Sequence, residues 1–249
     1  MPFSRILAPA AFPEPAALTS AMAGIGMRFG AERALDSNIE DTLLFASIEA
    51  MEQQDLRVLA ILVTWFGVHA PWVNADRLTK IVATHESGRV RALWSALARW
   101  QGKDRRFERL TRIYTSAQLD LLPVGTGFQM KRHGEDRRFA GGALRVPANV
   151  LRDRAADVDP PAELARHHHP YRCRVMIGPT YRADMWAALE DDPTLSAAAL
   201  ARKAYGSFAT AWHVRRDFGV LADAGGVHSA NPGAICARVG AASDEKIES

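Results

Sequence analysis

At 249 residues the chain exceeds the usual single-domain size, so one large or two smaller domains are open, and either can bury a core. Its 48% hydrophobic and 24% charged residues, with a net charge of only +3, exclude a disordered polyelectrolyte, and two distant cysteines, Cys173 and Cys236, exclude a zinc ribbon and a secreted disulfide scaffold while fitting a reducing cytoplasm. The N-terminal run from Arg5 through Ile6 and Leu7 to Phe12 is too short for a signal peptide and Val58 to Val68 is too short to cross a bilayer, so the expectation is a soluble, cytoplasmic protein.

In chain order, Gly24, Gly26 and Gly30 form GIGMRFG, whose spacing is not that of a dinucleotide-binding loop. Charge then changes sign. Residues 37–79 carry two cations against six acids, and residues 80–112 carry nine cations against three acids, as a partner-facing or solvated acidic face followed by a basic one would. Asp55 is placed to cap a strongly apolar helix through Leu56, Val58, Leu59, Leu62, Val63 and Phe66. Asn74 is placed to cap a short helix carrying Leu78, Ile81 and Val82. After a turn from Ala83 to Ser87 comes a third helix, Gly88 to Gln101, with Val90, Leu93, Leu97 and Trp100 as its core stripe. The three together read as a first helix-turn-helix-like unit. On another face of the third helix Arg91, Ser95 and Arg99 recur at i+4, with Lys103 just beyond, as a helix tracking a phosphate backbone needs.

Phe128 to Arg132 and Arg137 to Leu144 flank His133, Gly134, Glu135 and Asp136, which predicts a β-hairpin. Lys131, Arg132, Arg137 and Arg138 would make its tip a basic wing. Asp157, Asp159, Pro160 and Pro161 read as a linker leading into a short helix, Ala162 to His167, and place a domain boundary near Ala155, dividing the chain into 1–154 and 155–249. His167, His168 and His169 are adjacent, so on a helix they point about 100° apart and do not converge on one metal. Cys173 reads as a small buried apolar residue, and YGSFA does not match a nucleophile elbow. Trp65, Trp94, Trp100 and Trp186 read as core or contact anchors rather than base-stacking platforms. Catalytic residues, metal and cofactor are therefore not expected.

The most informative stretch is Tyr181 to Leu221. Met185, Trp186, Ala188 and Leu189 give a first apolar stripe that Asp191, Asp192 and Pro193 end. Ser196 is placed to cap a helix built on Ala199, Leu200 and Ala204, and Gly206 supplies a turn. Ser207 opens a third helix in which Ala211, Val214 and Phe218 face inward while His213, Arg215 and Arg216 point elsewhere. Leu195, Leu200 and Ala201 before the turn, then Ser207 and Thr210 after it, resemble the winged helix-turn-helix of bacterial transcription regulators, with one residue more than the commonest spacing between Ala201 and Gly206. The expected wing begins at Val220 and Leu221 and turns at Gly225 and Gly226; the tail from Ala241 is expected to fray. The pieces RADMWAAL and LSAAALARKAYGS are similar to regulators and antitoxins encoded beside nucleotidyltransferase-type abortive-infection toxins, a resemblance that implies autoregulation with a protein partner.

The expected fold is mainly α, with two helix-turn-helix-like three-helix units, the C-terminal one winged, joined by a short β-hairpin region. The expected function is a transcriptional regulator binding duplex DNA through Arg91, Ser95, Arg99, Lys103, Arg137, Arg138, Ser207, Thr210, His213 and Arg216, compatible with a homodimer and requiring no membrane. The alternative is an interaction module, such as an antitoxin, that meets a protein partner through the acidic segment from Ser37 to Asp55 without touching DNA.

Overall fold

A computed structural model describes residues 12–223. Within them lie α1 (Pro15–Gly24), α2 (Ile39–Glu52), α3 (Leu56–His69), α4 (Ala75–Thr84), α5 (Gly88–Trp100), α6 (Glu108–Thr111), α7 (Thr126–His133), α8 (Pro161–His167), α9 (His169–Ile177), α10 (Tyr181–Asp191), α11 (Ala197–Lys203) and α12 (Phe208–Asp223), with strands β1 (Leu119–Asp120) and β2 (Leu144–Arg145). The protein is mainly helical, and no described helix is long and apolar enough to cross a membrane. The expected turn at Gly225 and Gly226, the run from Arg5 to Leu7, Cys236 and the tail from Ala241 lie outside the described residues.

Side-chain caps set where several of the described helices start. Asn38 accepts from the Asp41 amide, Asp55 from Arg57 and Val58, Asn74 from Arg77, Ser87 from Val90 and Ser196 from Ala199, each satisfying an N–H that a helix start leaves free. The middle of α3 is buried on every side from Leu59 to Phe66, as expected of a helix apolar all round; α2 packs along it, Phe66 meets Trp94 of α5, and α4 packs on α2 and α5. Two buried indoles keep their N–H groups satisfied: Trp65 donates to the Ile25 carbonyl at 2.7 Å and Trp94 to the Ser47 hydroxyl at 2.9 Å. Trp100, expected in the core stripe of α5, is 37% exposed; its ring instead covers Gly67, where a Cβ would lie 2.6 Å from it.

The hairpin does not form. Residues 126–133 make helix α7, bounded by Gly125 and Gly134 with positive φ of 86° and 82°, and Lys131, Arg132 and His133 occupy its last turn, where cations meet the helix's exposed carbonyls. Phe128 on α7 is 66% exposed. The strands that exist pair in parallel, Leu119 opposite Leu144 and Asp120 opposite Arg145, which the intervening α7 permits and a tight turn would not. Nor does a wing strand start at Val220 and Leu221, since α12 continues through both to Asp223.

The apolar core runs from Leu18 to Tyr171, past the boundary expected at Ala155. The stretch read as a linker is stitched to GIGMRFG: the Arg28 amide donates to the Asp157 carbonyl and the Asp159 amide to that of Gly26, both at 2.8 Å. Gly26 has φ +87°, and a Cβ there would lie 3.2 Å from Asp159, whose buried carboxylate pairs with Arg28 at 2.7 Å and Arg33 at 3.0 Å. A separate core then gathers Met185, Leu189, Leu200, Ala211, Val214 and Phe218 from α10, α11 and α12.

Two buried histidines join the start of α8 and α9 to the N-terminal helices. His69 donates from Nε2 to the Asp159 carbonyl at 3.0 Å, accepts at Nδ1 from the Tyr171 hydroxyl at 2.8 Å, and stacks on Trp65. His168 donates from Nε2 to the Ser37 carbonyl and accepts at Nδ1 from the Tyr171 amide, both at 3.0 Å. Both rings are neutral in this arrangement, and burial pushes each pKa from 6.5 down to about 4. The unfolded chain therefore binds more protons than the folded one between those values, and stability is lost as pH falls through that window. His69→Gln should make the pH dependence of urea unfolding between pH 6.5 and 4 shallower by about one proton. An unchanged slope would contradict a neutral buried His69.

Candidate nucleic-acid interface

Helix α12 begins where Ser207 accepts the Thr210 amide at 3.1 Å, and the two hydroxyls also bond each other at 2.7 Å. Both side chains named from the sequence are thereby engaged in shaping the helix start. Ala211, Val214 and Phe218 are buried against α10 and α11, at the spacing the sequence predicts, while His213, Arg215 and Arg216 are exposed. Phe208 and Trp212 share that outer side at 52% and 50% exposure. Arg216 lies 5.7 Å from the Trp212 ring centroid and pairs with Asp217 at 2.7 Å, which also receives Arg182 at 3.1 Å. The turn before α12 owes its shape to Tyr205, at φ 55°, rather than to a glycine with positive φ. Gly206 is required for a different reason: a Cβ there would sit 2.2 Å from the Met185 methyl.

Tyr205 sets its ring against the N-terminal region. The Arg77 guanidinium stacks over it at 3.4 Å and pairs with Asp41, while the Tyr181 hydroxyl donates to Asp76 at 2.9 Å. Arg174 on α9 donates to both oxygens of Glu40, at 2.6 and 2.8 Å, and to both of Asp184, at 2.7 and 2.9 Å. These buried charges hold α10 and the turn before α12 against α2 and α4. They also take Glu40 and Asp41 out of the outer face of the acidic segment, where Glu52 and Asp55 remain exposed.

The basic ridge on α5 is not assembled. Ser95 is 5% exposed and donates to the Thr111 carbonyl at 2.7 Å, so the segment around α6 covers the middle of the ridge. Arg91 is half-buried, leaving Arg99 and Lys103 exposed beyond it. Other cations of residues 80–112 serve the fold: Arg89 donates to the carbonyls of Asp120 and Leu121, Arg106 to those of Ala70 and Val73, and Arg112 pairs with Glu108. In place of the basic wing, Arg138 turns inward to pair with Asp136 at 2.6 Å and to reach the Leu151 carbonyl, and Arg137 alone of the two stays exposed.

The three adjacent histidines diverge, as their spacing requires: His167 lies near Asp159, His168 is buried, and His169 turns to α10. What His169 meets is not foreseen from the sequence. His169 and Cys173 stand at i and i+4 on α9, and Glu190 of α10 joins them, the three ligand atoms lying within 4.8 Å of one another. The i, i+4 spacing is a signal that the sequence carries, whereas the third member arrives from another helix. Burial and the neighbouring Glu190 push the Cys173 thiol up to about 12, which is the opposite of what an activated nucleophile needs.

The chain matches no protein-family model, no curated protein and no solved structure. The packing of α12 is directly testable. Ala211 is fully buried where α12 meets its neighbours, so Ala211→Leu should overpack the site and cost about 1–3 kcal/mol in chemical unfolding. A variant as stable as its parent would mean that α12 is not seated on this face.

Proposed function

We propose that the chain is a regulator that binds duplex DNA through α12 of its C-terminal three-helix unit. The observation that carries the reading is the division of α12 into a buried face, Ala211, Val214 and Phe218, and an open one, His213, Arg215 and Arg216, following a tight turn after α11. A helix seated that way turns Arg215 to solvent and leaves His213 and Arg216 exposed, Arg216 having to exchange its Asp217 partner for a base edge or phosphate, and its capped N-terminus favours an anion. With Ser95 and Arg138 turned inward, the binding surface is centred on α12 rather than spread over α5 and a wing. The resemblance of this stretch to winged helix-turn-helix regulators supports the same reading, with the chain acting on DNA beside its own gene.

A second reading rests on Phe208 and Trp212. Two aromatics half-exposed on one helix face are more typical of a protein contact than of groove readout, so a partner protein docked on α12 is the competing function. Fluorescence anisotropy with the DNA upstream of the chain's own gene separates the two. Arg215→Ala with Arg216→Ala should weaken binding by roughly 5- to 150-fold, as 1–3 kcal/mol implies, and should reduce the salt slope by roughly 0.9 for each phosphate no longer neutralised. Affinity and slope unchanged by this pair would favour the protein-contact reading.

A further inference from the structure

We propose that His169, Cys173 and Glu190 form a binding site for one divalent metal ion of the zinc class, clamping α9 to α10. The ligand set is chemically specific. An imidazole and a thiolate favour zinc over magnesium or calcium, and with the Glu190 carboxylate they supply two negative charges to a doubly charged ion. One edge of the site has close to the length such an ion imposes, while His169 Nε2 sits nearer to Glu190 Oε2 than two ligands of one ion can and must draw back on binding. The Cys173 sulfur lies 3.7 Å from Glu190 Oε2, against roughly 3.5 Å for a sulfur–oxygen edge of a tetrahedron with ordinary zinc bond lengths. His169 Nε2 points at the same oxygen, so both protons now directed at Glu190 Oε2 occupy the place an ion would take.

The surroundings match a metal site beyond its three ligands. His169 Nδ1 lies 2.8 Å from Asp191 Oδ1, the carboxylate–imidazole pairing that orients a metal-bound histidine with its other nitrogen outward. Trp186 Nε1 donates to Glu190 Oε1 at 3.0 Å, occupying the oxygen that the ion does not need. Arg172, 3.9 Å from Glu190 Oε2, is a nearby cation that opposes the ion; its side chain is 35% exposed and has solvent to swing into. Cys173 is fully buried, but the His169 and Glu190 side chains are 24% and 25% exposed, so a water can reach the ion and complete four-coordination. Binding sends the Cys173 thiol proton to solvent and requires the His169 ring to carry its proton on Nδ1, toward Asp191, with any proton on Nε2 given up, so metal uptake is accompanied by release of at least one proton.

The test uses the full chain carrying Cys236→Ser, which leaves Cys173 as its single thiol. Titration with Co²⁺ should saturate at one ion per chain with an absorption band from thiolate-to-metal charge transfer and the visible bands of a four-coordinate site, and Zn²⁺ should displace it. Asp191→Asn should lower affinity by about 10- to 100-fold while keeping the thiolate band. Glu190→Gln should weaken binding, and Cys173→Ser should abolish the band. Absence of a thiolate band in the single-thiol chain overturns the proposal without reference to any variant's folding. So does affinity unaffected by both Asp191→Asn and Glu190→Gln, the result expected of an ordinary histidine–carboxylate latch.

Discussion

The guanidinium of Arg174 has all three nitrogens engaged: Nε on Asp184, one amino nitrogen on Glu40 and the Trp72 carbonyl, the other on Glu40 and Asp184. It stands on α9, 1% exposed, between carboxylates from α2 and α10. Removing those charges from water is costly, and attraction offsets the cost only where geometry satisfies both partners, so such a cluster specifies an arrangement more than it adds stability. Beside it Arg77 pairs with Asp41 under the Tyr205 ring. Three carboxylates thus share two guanidiniums. Burial raises the Asp184 pKa, whereas for Glu40 burial, the largest single effect, is outweighed by the charge and hydrogen bonds of Arg174 together with the Asn74 amide and Arg77, and the pKa is lowered. With the seat of α10 and the turn at Tyr205 set this way, the direction α12 presents to solvent follows.

The same pairing of charge reshapes the functional surface. The sequence shows a basic block from Lys80 to Arg112, but some of its cations also fasten the fold, Arg106 and Arg89 holding carbonyls at 70–73 and 120–121 and Arg112 pairing on the surface with Glu108 one turn away. Arginine suits that work, since its planar fork carries five donors that reach several carbonyls at once. A further open group of cations lies elsewhere, with Arg215 and Arg216 exposed on α12 and Arg202 and Lys203 exposed at the end of α11.

Local signals are legible in the sequence. Asp55, Asn74, Ser196 and Ser207 each start a helix where a cap followed by an apolar stripe predicts one, and Ala211, Val214 and Phe218 face inward at their expected spacing. Long-range pairing is not legible. Nothing local distinguishes Glu40, buried beneath Arg174, from Glu52, exposed at the far end of the same helix, because the difference lies in a residue 134 positions away. The hairpin is absent for a related reason: two polar runs about a glycine satisfy a turn rule, but a strand needs a partner surface, and α7 with a cation-rich last turn needs none. Cys173 is buried, as its type suggests, yet its neighbour Glu190 comes from the next helix and leaves no trace in spacing.

Amide hydrogen exchange on Arg174→Met tests most directly whether this cluster seats the C-terminal unit. Breaking a buried pair from one side leaves Glu40 and Asp184 uncompensated and should destabilise the chain by about 3–5 kcal/mol, with α2, α9 and α10 losing protection together. Protection unchanged, or lost in α9 alone, would contradict the claim that Arg174 joins these helices into one arrangement.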